Sequence, residues 1–167
     1  MVTTARTAPP RDDVWPRILE RTGVAAAAAL ALAISWIHVM DQGGLLGLKD
    51  PAYLGWSYRS LEVAAVVCAV LLLTGRRRLG WLLALAVSAG PLTAIILSRS
   101  VGLPNATDDI GNWFETLGVA AMVVEASLIV IALTALAMSS RALTARSAPV
   151  GDRSSAATAS ASRQMSV

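Results

Sequence analysis

Four long apolar blocks govern what this chain can become. They run roughly from Thr22 to Met40, Ser57 to Thr74, Leu79 to Leu97 and Trp113 to Met138. Each matches or exceeds the ~18–20 residues a helix needs to cross about 30 Å of hydrocarbon. Their centres lack the 3.6-residue polar stripe of a helix half in water, and none alternates as a membrane β-strand would. The spacing therefore predicts an all-α polytopic membrane protein, a four-transmembrane-helix bundle. The whole 167-residue chain is 55% hydrophobic and 15% charged, against about 25% charged in soluble domains. A signal peptide is the weaker reading of the first block, which is long for that role and has no small-x-small site after Trp36.

The domain organisation follows. Residues 1–14 and 141–167 are expected to be disordered cytoplasmic tails, the second rich in Ser and Ala. Neither can bury enough apolar surface to offset its ordering entropy. Residues 15–140 form the membrane domain, with helices at about 22–40, 57–74, 79–97 and 113–138.

Basic residues set the orientation. Arg6, Arg11, Arg17 and Arg21 precede the first block; Arg76, Arg77 and Arg78 join the second and third; Arg141, Arg146, Arg153 and Arg163 follow the fourth. Only Lys49, Arg59 and Arg99 fall on the other side. The positive-inside rule places both termini in the cytoplasm of a multi-pass cell-membrane protein, as an even helix count requires. The basic flank suits anionic lipid at the inner leaflet. A pI near 9.8 does not argue for nucleic acid, because no aromatic residue alternates with the tail arginines.

Single-residue counts exclude several chemistries. One cysteine, Cys68, rules out an internal disulfide and CxxC exchange. One histidine, His38, cannot supply two axial ligands to haem, and no Glu-x-x-His pair suggests a di-iron site. Neither a cofactor nor a metal is expected, nor any GxSxG, HExxH or phosphate-loop motif.

Two rows of small residues, Gly23, Ala27, Ala31 and Ser35, then Ala86, Gly90 and Ala94, read as faces for close helix contact. Pro91 removes a donor to the Val87 carbonyl, so a kink is expected, with Ser88 or a neighbour satisfying that oxygen.

Polar residues gather where the helices reach the outer face. His38, Asp41 and Gln42 close the first helix at spacings that put them on one face. Tyr58, Arg59 and Glu62 open the second, Arg99 closes the third, and Asp108, Asp109 and Glu115 precede or start the fourth. A compact bundle would gather His38, Glu62, Arg99 and Glu115 around one vestibule. Glu125, twelve residues after Trp113, falls about 18 Å along its helix. A charge there costs on the order of 3 kcal/mol, so Glu125 must be protonated, paired or facing a polar cavity. These eleven residues are the ligand or ion-pair candidates, and no catalytic residue can be named. The segment from Asp41 to Trp56, rich in Gly and Leu, is expected to fold back over the bundle mouth.

The run Ser98-Arg99-Ser100-Val101-Gly102-Leu103-Pro104, with Trp113, Glu115, Leu117-Gly118-Val119, Glu125 and His38, resembles a segment of small four-helix actinobacterial membrane proteins. The resemblance covers about 22 to 138. It implies a four-helix fold and points to Arg99, Glu115 and Glu125, but implies no substrate.

These readings favour a non-enzymatic membrane protein whose outer vestibule binds a small or amphiphilic ligand or docks a membrane partner. The alternatives are an oligomeric transporter or proton-coupled component using Glu125 and Glu62, and a membrane enzyme acting on a lipid or isoprenoid. The partners expected are the bilayer, a second copy of the chain or another membrane protein, and no nucleic acid.

Overall fold

The computed structural model describes residues 14–147, with side chains described from residue 18 to residue 140. The expected disordered tails lie outside the described residues except at 14 and 141–147, which are helical parts of α1 and α4 and so do not belong to the tails. Four helices follow in order, α1 (Val14–Asp41), α2 (Ala52–Leu73), α3 (Arg77–Ser100) and α4 (Thr116–Ser147), and no strand occurs among the described residues. All four are long and apolar enough to span a membrane, so this is a multi-pass membrane protein in a lipid bilayer. One compact unit extends to Ala135 and a second begins at Leu136; everything that follows concerns the first.

The contact between α1 and α2 is built on small side chains. Ala27, Ala31 and Ile34 of α1 are fully buried, as are Ala65 and Cys68 of α2. Among them Ala27 and Ala31 belong to the small-residue row expected to pack. Between α2 and α3 the approach is closer still, since a Cβ on Gly80 would lie 2.8 Å from Leu72 Cδ2. The Cys68 thiol meets the Gly80 carbonyl there at 3.5 Å. Bulky residues point the other way: Trp36, Val63 and Val130 are more than 60% exposed, as lipid-facing side chains are without a hydrophobic drive to bury them.

The second small-residue row behaves differently from the expectation. Ala86, Gly90 and Ala94 are exposed, and a Cβ on Gly90 would meet nothing within 4 Å. They leave space where they were expected to fill a helix contact. α3 instead buries Trp81, Ala84, Val87 and Ser88. It runs unbroken through Pro91, and the Ser88 hydroxyl donates to Ala84 O at 2.6 Å, not to Val87.

Two helix boundaries bear on the site. α2 begins at Ala52, directly after an extended Pro51, so Tyr53, Leu54 and Trp56 are helical and not part of a lid. α4 begins at Thr116 because Glu115 caps it. The Glu115 carboxylate accepts from the backbone N–H of Leu117 at 3.0 Å and of Gly118 at 2.6 Å, satisfying two of the donors every helix start leaves orphaned. At the other end of the bundle Arg77 pairs with Glu20.

Candidate functional site

At the end where α1 and α3 finish and α2 and α4 begin, the helices and their loops enclose a cavity of about 1210 Å³. We call this the acidic end. Among the described residues six acids line the cavity, Asp41, Asp50, Asp108, Asp109, Glu115 and Glu125, against two cations, Lys49 and Arg99. The wall that descends from this rim is apolar or without side chains, formed by Leu61, Ala86, Gly90, Pro91, Ala94 and Ile95.

Both cations are engaged. Lys49 Nζ donates to Asp41 Oδ1 at 3.1 Å, and the Tyr58 hydroxyl donates to Asp41 Oδ2 at 2.6 Å. Arg99, on the last turn of α3, reaches Asp109 Oδ1 at 3.3 Å and Glu115 Oε2 at 3.2 Å. Its guanidinium thus joins the α3–α4 loop to the cap of α4. Gly118 makes this fit: a Cβ there would lie 2.8 Å from Arg99 Nη2 and 2.9 Å from Glu115 Oε2. Gly102, in the left-handed region at φ 80°, turns the chain out of α3. Its N–H bonds the Leu97 carbonyl at 3.0 Å, as an αL residue after a helix does. The Tyr53 hydroxyl ties the start of α2 to the same loop, donating to Pro104 O at 2.8 Å.

His38 and Glu125 lie in the cavity lining, and both are buried. His38 Nδ1 is 2.9 Å from Ile34 O; a carbonyl only accepts, so Nδ1 carries the proton and Nε2 of a neutral ring is an acceptor. The ring packs edge-on against Tyr58, centroids 4.9 Å apart. Its Nε2 faces Glu125 Oε1 at 4.0 Å, beyond hydrogen-bond reach. Glu125 is 1% exposed, and neither carboxyl oxygen has a partner among the described residues. Its helix begins three residues later than expected, so Glu125 lies about 14 Å along α4.

The remaining candidates form a separate cluster. Gln42 Nε2 donates to Glu62 Oε1, and Arg59 Nη1 donates to Glu62 Oε2 at 2.9 Å. Arg59 Nη2 also holds the carbonyls of Leu45 and of Gly47, the latter at 2.8 Å. None of Gln42, Arg59 and Glu62 lines the cavity. Glu62 therefore fixes the α1–α2 connection and does not share the vestibule expected for it. Lys49, not among the candidates, does share it; its signal in the sequence was that it is the only lysine.

No group of three or more His, Cys, Asp or Glu among the described residues could hold a metal ion. No protein-family model, no curated protein and no solved structure matches this chain. The class of protein is therefore set by the fold and the cavity alone: a multi-pass membrane protein with an acid-rimmed, apolar-walled chamber at one end.

Proposed function

We propose that this chain is a non-enzymatic membrane protein whose acidic-end cavity binds a small or amphiphilic molecule at the outer face of the cell membrane. The observation that carries the reading is the cavity itself, large enough for a drug-sized ligand, with charged residues at its rim, His38 and Glu125 in its lining and an apolar wall along α3. That gradient matches an amphiphile whose tail lies along α3 and whose head meets the charged residues. Gly90 gives the test. Gly90→Trp is expected to leave the fold intact, since a Cβ there meets nothing and tryptophan has a higher helix propensity than glycine. It should cut binding of N-phenyl-1-naphthylamine to protein in lipid nanodiscs at least tenfold. Unchanged binding by the folded variant would place the probe in lipid and remove the reading.

The orientation belongs to the same proposal. Eleven of fourteen basic residues lie, in sequence, before the first apolar block, between the second and third, or after the fourth, which supports cytoplasmic termini and an outward-facing acidic end. A C-terminal reporter should be active in the cytoplasm, and a cysteine introduced at Asn105 should be labelled from outside. The reverse pattern would turn the cavity toward the cytoplasm.

An oligomeric proton-coupled transporter is the second reading, favoured by the unpartnered Glu125. Its other acid, Glu62, is engaged by Gln42 and Arg59. Proton flux in liposomes that Glu125→Gln abolishes would favour it over simple binding.

A further inference from the structure

We propose that the His38–Glu125 pair is a seat for a primary alkylammonium group, making the cavity's ligand an amphiphilic amine. This rests on the amphiphile-binding reading above and adds the chemistry of the head.

The first support is a count of hydrogen-bonding groups at the seat. With Glu125 ionised the pair carries three acceptor atoms: Glu125 Oε1 and Oε2, neither with a partner among the described residues, and His38 Nε2, 4.0 Å from Oε1. His38 Nδ1, the one N–H of the neutral ring, is committed to Ile34 O, so the ring offers the space no donor. An ammonium group has three donors and no acceptor, which is the complement of this set. A buried carboxylate without a partner is among the most unfavourable groups a folded protein can hold, and a hydrogen-bonded cation removes the deficit through charge-assisted bonds.

The second support is the field at the mouth. Among the described residues six acids and two cations line the cavity, and both cations already serve Asp41, Asp109 and Glu115. An acid-rich cleft with low-dielectric walls concentrates cations and repels carboxylate or phosphate headgroups.

The third support discriminates among cations. A quaternary ammonium has no N–H donors and is held by several aromatic faces. Among the described residues, the aromatic side chains lining the cavity besides His38 are Tyr53 and Tyr58, and the Tyr58 ring is already set against His38. N–H donors, not a methylated surface, fit what the seat offers.

The test is competition against N-phenyl-1-naphthylamine on the full chain in nanodiscs, using octylammonium, octyltrimethylammonium and octanol. Octylammonium should displace the probe at a concentration at least tenfold below either of the others. Glu125→Gln should shrink that preference to threefold or less. Equal displacement by all three compounds would overturn the amine seat while leaving amphiphile binding in place. A preference for the quaternary compound, or a primary-amine preference unchanged in folded Glu125→Gln, would also overturn it. If the wild-type cavity neither binds the probe nor responds to any competitor, the amine seat and the binding reading fall together. Should Glu125→Gln not fold, the wild-type series alone decides.

Discussion

Arg99→Ala should destabilise the protein by about 2–3 kcal/mol in detergent unfolding titrations. Removing one partner of a fully buried ion pair typically costs about 3–5 kcal/mol, because the other charge is left without compensation. Here the guanidinium is 7% exposed, but Asp109 is 52% and Glu115 34% exposed, so water recovers part of the loss. Glu115 would retain its bonds to Leu117 and Gly118, which again limits the damage. Arg99→Lys keeps one charge but cannot span two carboxylates with a planar fork, and it should fall between wild type and alanine. An alanine variant as stable as wild type would mean that the Arg99 contacts contribute nothing net.

The Arg59 cluster gives a larger and asymmetric effect. Arg59→Ala removes the ion pair to a Glu62 side chain that is 9% exposed and also releases the Leu45 and Gly47 carbonyls. We expect a loss of about 3–4 kcal/mol, at the buried-pair level. Glu62→Gln leaves Arg59 on its two carbonyls and should cost clearly less. In the double variant no carboxylate is stranded, so it should be more stable than Arg59→Ala alone, with a coupling of about 1–3 kcal/mol between the sites. Additive losses would show that Arg59 acts only through the loop carbonyls.

The membrane helices were legible because hydrophobic length is a property of contiguous residues. Their boundaries were less so, for identifiable reasons. Gly55 was read with Gly43, Gly44 and Gly47 as part of an irregular loop. In the structure it is helical, and glycine fits there because a Cβ would come 2.9 Å from the Lys49 carbonyl. That is a close approach between the first turn of α2 and the chain just before it, which residue spacing does not reveal. Likewise Glu115 is not among the usual capping residues, yet Arg99 holds its carboxylate over the start of α4.

The site was legible residue by residue but not pair by pair. Spacing associated His38 with Asp41 and Gln42, three and four residues on. The ring bonds Ile34, four residues back, and its far edge meets Glu125 from another helix. Asp41 goes to Lys49 and Tyr58, and Gln42 to Glu62. Which faces meet depends on how each helix is rotated about its axis, information that no single helix carries. The α3 small-residue row shows a similar gap. Small residues at fourfold spacing permit close contact, but the same pattern also leaves a chamber open when no neighbour fills it.

The Glu115 cap has one more consequence. An α-helix turns by about 100° per residue, so the residue at which α4 starts sets the azimuth of everything after it. Were winding to begin one position earlier or later, with the helix axis unchanged, Glu125 would swing about a quarter turn around the helix, away from His38. Arg99, by fixing Glu115 over Leu117 and Gly118, works as an indexing pin at the membrane surface for an acid some fourteen ångströms below it.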